Sequence, residues 1–345
     1  MSIRRKSVGL LSAALLAFLF LFSGCAANDK VPVKVLILPK FEVDGLSGDF
    51  PGEAQLYYEH YLEGAGEYEI AGGYAGSKLY VKDGTALYVT GQGKLNSALS
   101  LAAILADDRF DFSDAYIMST GCAGSAAEYT VMGDVIVVTA TVDYDLGHQA
   151  DIREMTESRK ETWFHDDEWD DVSHKILNRA LTDQIYELVR DTKIETTERT
   201  RKYMARAFDN AGWAVRDPMV LKGTVVTGDN YWKGFYDEAN ARLMAETYGC
   251  PDPYAVSEME DNALAVVLDR MGMLDRYIAL RCSVNMDVFM NGVTPETLWG
   301  GQESVDLSSE DSVEAEDIFE TAMHNNFLVG SRIVDAILSG EIGEA

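Results

Sequence analysis

The chain has 345 residues, 47% of them hydrophobic and 25% charged, which allows one large domain or two ordinary ones and is ample for a buried core. With 57 Asp and Glu against 29 Lys and Arg, the formal charge is −28. Such a surface repels phosphate backbones and anionic headgroups, which argues against nucleic acid as a partner.

Arg4, Arg5 and Lys6 form a positive n-region, Val8 to Phe22 an apolar h-region, and Ser23-Gly24-Cys25 closes it in the manner of a bacterial lipobox, with Phe22 a less usual residue at its place. Residues 1–24 are therefore expected to be a lipoprotein signal peptide, Cys25 the lipidated N-terminus, and 25–32 a short tether. The expected location is extracytoplasmic, with the lipid anchor as the only membrane contact. The apolar run is shorter than the ~20 residues a helical span needs, and no second stretch of its kind follows. After cleavage Cys122, Cys250 and Cys282 remain; an odd count leaves at least one free thiol, and no metal-type spacing is present.

Val33 to Leu38 reads as a strand buried on both faces. It runs into PKFEVDG, where Glu42 and Asp44 lie in the loop at the strand's carboxyl end, the usual place for ligand contacts in open α/β sheets. Two solvated loop carboxylates are the plain alternative. Pro51 to Leu62 looks helical, and Leu79 to Val81 with Leu87 to Thr90 reads as a strand pair turned at Asp83-Gly84. VTGQGKLNSALSLAAILAD gives a strand, a glycine turn and a helix whose first amides face an anion or polar ligand. It is neither a Walker loop nor a dinucleotide fingerprint.

Ala115 to Val138 is the stretch around which the rest is organised. A buried strand, Tyr116 to Ser119, leads to a small-residue turn, Gly121 to Ser125, and then to the β-branched run Val135 to Val138. So little side-chain bulk at a strand end suits the floor of a pocket. Asp143, Asp145 and His148 follow, residue types fit for metal ligation or acid/base work, but nothing nearby completes a site. From 150 to 216 the chain is polar and reads as a helical insertion. KGTVVTGDNYW then restores a strand and turn, with Tyr231 and Trp232 displayed for stacking on a flat heterocycle or for the core. Tyr254 to Leu268 passes from strand to helix through Glu258, Met259 and Glu260, carboxylates that need polar partners such as sugar hydroxyls. Tyr277 to Cys282 is a last buried strand, and Asn285 beyond it could offer an amide to a base edge or be a turn residue. Glu310 to Ile337 is an amphipathic helix closing the sheet. The pattern as a whole is α/β.

Four motifs in this order resemble the nucleoside phosphorylase and nucleosidase superfamily, most closely its purine nucleoside permease branch. GQGKLNSA (Gly91 to Ala98) is similar to GIGKVNAA, STGCAGS (Ser119 to Ser125) to NTGSAGG, TGDNY (Thr227 to Tyr231) to SGDAF, and SEMEDNA (Ser257 to Ala263) to VEMEATA. The resemblance implies one domain, 33–345, built on a mixed, partly barrel-like central sheet flanked by helices. It implies no cofactor and no metal, and it suggests a dimer or trimer. Met259 and Glu260 would hold a ribose, Tyr231 would stack on a purine, and Ala123 and Gly124 would line the pocket. Two departures matter. Asn285 stands where the superfamily's RAISD motif has its acid, and an amide supplies no proton. The phosphorylases' GDPxR is absent, and Glu42 or Asp44 at that place resembles the nucleosidases' water-positioning carboxylate, a general base. The implied function is purine nucleoside binding with a role in uptake. The alternative is hydrolysis of the N-glycosidic bond of 6-oxopurine nucleosides, and phosphorolysis is disfavoured by the missing Arg.

Overall fold

The computed structural model describes residues 30–155, 161–208, 216–299 and 309–343. The expected signal peptide, Cys25 and the first part of the tether lie outside the described residues. Ten strands make one sheet: β1 (Val35–Leu38), β2 (Gly66–Glu69), β3 (Lys78–Lys82), β4 (Thr85–Leu87), β5 (Tyr116–Ser125), β6 (Val135–Asp143), β7 (His174–Ile176), β8 (Val220–Thr227), β9 (Tyr254–Glu258) and β10 (Tyr277–Met286). Their order is β7-β6-β8-β9-β5-β1-β4-β3-β2, with β10 parallel to β5 and antiparallel to β6. Because β9 also pairs with β5, and β8 with both β6 and β9, strands β5, β10, β6, β8 and β9 close into a barrel. The result is the mixed, partly barrel-like sheet that the resemblance implied.

Helices α1 (Lys94–Leu105), α2 (Arg179–Val189), α3 (Glu198–Phe208), α4 (Phe235–Thr247), α5 (Asp261–Arg270) and α6 (Ser309–Ser339) surround it. Strand β1 shows why its apolar run is unbroken. Leu36 and Leu38 pack in one core layer with Leu101 and Ile104 of α1 and Leu264 and Leu268 of α5. Val35 and Ile37, on the other face, share a second layer with Ile185 and Val189 of α2 and Ile333 and Val334 of α6. The hairpin β3–β4 turns on Asp83 and Gly84 with φ of 50° and 83°, the positive values a two-residue turn of this hand requires.

Two expectations change. The stretch Gly121 to Ser125 is not a turn: β5 runs on to Ser125 because β9 and β10 pair with this part of it. Its small residues serve instead to let side chains approach the backbone. A Cβ at Gly121 would stand 2.3 Å from Glu53 Oε1, and one at Gly124 would stand 1.9 Å from Asp287 Oδ1. The described residues between 150 and 216 include helices α2 and α3 and also β7, which extends the sheet beside β6. Among the described residues no helix is long and apolar enough to cross a membrane.

Candidate functional site

A cavity of about 150 Å³ opens where β1, β5, β8, β9 and β10 end. Lys40, Phe41 and Glu53 form one wall, and Cys122, Ala123 and Gly124 of β5 the floor. Gly228 to Trp232 after β8, Ser257 to Glu260 at the β9–α5 junction, and Val284, Asn285 and Asp287 at the end of β10 close the rest, apart from Asp229, which is not in the lining.

A buried ionic cluster borders the cavity. Arg281 is 1% exposed, the one charged residue of its strand. Its guanidinium donates to Asp261 through Nε (2.8 Å to Oδ2) and Nη2 (2.6 Å to Oδ1), and Nη2 also reaches Glu258 (2.9 Å) and Glu260 (3.3 Å). Lys40, equally buried, donates to Ser119 Oγ at 2.8 Å and to the carbonyl of Leu38. Ser119 in turn donates to Asp261 at 2.5 Å. Burial pushes Glu258 upward, and the charge of Asp261 adds to this. Burial would also raise Asp261, but the charge and hydrogen bonds of Arg281 hold it below the ordinary range. Burial, and then the nearby Arg281, lower Lys40. The arrangement is tolerable only because cations and carboxylates are jointly hydrogen-bonded.

The expected binding residues Ala123, Gly124, Tyr231, Glu258, Met259, Glu260 and Asn285 all line the cavity. Tyr231 is 59% exposed at the rim, whereas Trp232 stacks on Tyr144 with ring centroids 4.9 Å apart. Glu260 accepts the Gly93 amide at 2.9 Å, so the glycine turn before α1 directs its NH to a protein carboxylate. The carboxylate keeps further acceptor capacity for hydroxyls. Glu258, by contrast, is saturated: it accepts from Thr227 Oγ1, from the amides of Glu260 (2.6 Å) and Asp261 (2.8 Å), and from Arg281. Asn285 lies within β10, and its Nδ2 makes a 3.4 Å contact with the Met286 carbonyl.

Glu42 and Asp44 are not in the lining. Glu42 accepts amides from Gly52, Ala54 (2.9 Å) and Gln55 (2.7 Å), which fastens its loop to the helical turn Gln55–Tyr57. Asp44 is exposed. The carboxylate at this wall is Glu53, which accepts the amides of Lys40 (2.7 Å) and Cys122 (2.8 Å) and is pushed upward by burial. Asp143 and Asp145 are both bound by Lys94 Nζ, at 2.9 and 2.7 Å, while His148 pairs with Asp166 instead.

Four residues of the site went unread in the sequence. Arg281 was visible as a lone charge in a buried strand, Lys40 lay just past the end of β1 in the loop PKFEVDG, and Asp287 lay two residues beyond Asn285. Glu53 was hidden in a segment read only as an amphipathic helix. Asp287 accepts from Ser257 Oγ at 2.9 Å and from the Tyr254 hydroxyl, and burial pushes its carboxyl up to about 7.

This barrel with its cavity at the strand ends is a nucleoside phosphorylase-like fold. The structure is similar to a 5′-methylthioadenosine/S-adenosylhomocysteine nucleosidase from Neisseria meningitidis (TM-score 0.52, 15% identity, 88% of this chain and 99% of that one). It is also similar to a futalosine hydrolase mutant of Helicobacter pylori (TM-score 0.53, 13% identity, 88% and 99%). The chain belongs to the purine nucleoside permease family, whose description matches residues 32–341. Over 233 residues it is 25% identical to a probable purine nucleoside permease of Schizosaccharomyces pombe, covering 59% of this chain and 65% of the relative. Over 204 residues it is 25% identical to a purine nucleoside permease of Candida albicans, covering 54% and 50%. The chain thus spans between half and about two thirds of the length of these relatives.

Proposed function

We propose that this chain binds a purine nucleoside in the cavity and serves nucleoside uptake as an exported lipoprotein held to the membrane through Cys25. The observation that carries the reading is the convergence, on one cavity, of a carboxylate with spare acceptor capacity (Glu260), an exposed aromatic ring (Tyr231) and an amide (Asn285). Glu260 accepts from the ribose hydroxyls, with Met259 packed beside the sugar. Tyr231 covers one face of the purine, and the Asn285 amide meets the lactam edge of a 6-oxopurine, which both donates and accepts. Ala123 and Gly124 form a floor without bulk.

Hydrolysis by water is the second reading, and Glu53 favours it. A buried carboxylate, pushed above its ordinary range by burial and fixed by two backbone amides at the cavity wall, is suited to take a proton from water. It takes the role for which the sequence had suggested Glu42 or Asp44. Phosphorolysis is less well supported. Among the described residues the basic ones in the lining, Lys40 and Arg281, are engaged by the protein's own oxygens and offer a phosphate no free cationic partner.

The test is to incubate the full chain in detergent micelles with inosine, guanosine and adenosine, with and without phosphate, measuring bound nucleoside and released base. Saturable binding that prefers the 6-oxopurines is expected. Failure to bind any nucleoside overturns the reading. Release of base without phosphate adds hydrolysis to it, and release only with phosphate restores phosphorolysis.

A further inference from the structure

Asn285 cannot protonate a departing base, yet the cavity holds a carboxyl group two residues further on that no role described so far employs. We propose that Asp287 is the proton donor to the purine, acting across the β5 floor from Glu53; this rests on the hydrolytic reading. Glu53 lies against Gly121 and Asp287 against Gly124, since a Cβ at either glycine would collide with the respective carboxylate. Gly121 and Gly124 stand ~10 Å apart along β5, and because successive strand residues point to opposite faces, the two carboxylates reach the cavity from the two sides of the strand. That is room for a water at the anomeric carbon, the glycosidic bond and a ring nitrogen of the base, with a hydrogen bond at each end. Both carboxyl groups line the same cavity.

The surroundings of Asp287 suit a neutral acid. Ser257 Oγ donates to Oδ1 at 2.9 Å and the Tyr254 hydroxyl donates to Oδ2, which fixes the plane of the group and leaves each oxygen a second site. Burial raises its pKa to about 7; the bonds from Tyr254 and Ser257 act downward, as does Lys233 ahead of α4, and Glu238 of α4 acts upward. Tyr231, in the loop after β8, also faces it. In the reaction the C1′–N bond breaks with its electron pair going to the base, which takes the Asp287 proton. Water adds its oxygen to C1′ and gives its proton to Glu53. Free base and ribose leave, and exchange with solvent returns Asp287 and Glu53 to their starting forms.

The experiment compares the full chain with Asp287→Asn and Tyr254→Phe on inosine and on p-nitrophenyl β-D-ribofuranoside, whose phenolate departs without a proton. In the wild type, inosine turnover should fall as pH rises through about 7. Asp287→Asn should lower it by about 10² and abolish that fall, while nitrophenyl riboside turnover stays within about threefold. Tyr254→Phe, which removes a hydrogen bond that lowers the acid, should move the fall to higher pH. Equal losses on both substrates, an unaffected inosine rate, or an unmoved pH profile in Tyr254→Phe would overturn the assignment. Release of neither base nor nitrophenol by the wild type would instead refute the hydrolytic reading, and the proposal with it.

Discussion

Replacing Arg281 by Ala should destabilise the fold more than any other single change at the site. The guanidinium is enclosed and bonded to Asp261 at two points and to Glu258 and Glu260, with Lys40 as the remaining buried cation of the cluster. Removing one partner of a buried ion pair costs about 3–5 kcal/mol, because the other charge stays behind unpaired. At roughly 2 °C per kcal/mol for a domain of this size, the melting temperature should drop by about 6–10 °C. The loss should depend on pH. In the wild type Asp261 titrates below its unfolded value, so its contribution is present above the unfolded pKa near 4 and is lost only as pH falls through the lower folded value. In the variant Asp261 is desolvated without Arg281, so its folded pKa rises and the penalty grows as pH increases beyond the unfolded value. Thermal and urea unfolding followed by circular dichroism at pH 5 and pH 8 should show the larger deficit at pH 8. A deficit under about 1 kcal/mol, or one equal at both pH values, would refute the reasoning.

Glu260→Ala should weaken nucleoside binding by about 1–3 kcal/mol, the range for a lost hydrogen bond to a charged group, and leave free hypoxanthine binding unchanged by calorimetry. Glu42→Gln should lower stability by about 1–3 kcal/mol through its bonds to the Ala54 and Gln55 amides while leaving base release intact; Glu53→Gln should cut release by about 10² or more in a chromatographic assay. Cys25→Ala should release the protein from the membrane fraction or leave an uncleaved precursor, read by fractionation and mass spectrometry of the N-terminus.

The parts of the fold that were legible are those in which local chemistry and global structure agree. Asp83-Gly84 required a hairpin, the unbroken apolar runs gave the buried strands, and four short motifs fixed the fold family. The extent of β5 was not legible, because Gly121 to Ser125 has turn composition and becomes strand only through pairing with β9 and β10. Likewise β7 is short and polar, and its place beside β6 is a tertiary fact. At the site, the motif carboxylates Glu258 and Glu260 line the cavity, whereas the loop carboxylates Glu42 and Asp44 do not. Glu42 and Glu53 are 11 residues apart in one irregular connection, and only folding shows that Glu42 holds backbone amides while Glu53 faces the cavity. Arg281 carried the clearest unused signal, since a lone charge in a buried strand must have buried partners.

The most direct measurement is calorimetric titration of the full chain, in micelles and without phosphate, with the C-nucleoside analogue of inosine, whose glycosidic bond does not hydrolyse, and with hypoxanthine and ribose separately. The account predicts saturable one-site binding of the nucleoside analogue at least tenfold tighter than hypoxanthine, a difference of about 1.4 kcal/mol supplied at Glu260, and lost in Glu260→Ala. Absence of nucleoside binding, or equal affinity for analogue and free base, would contradict it.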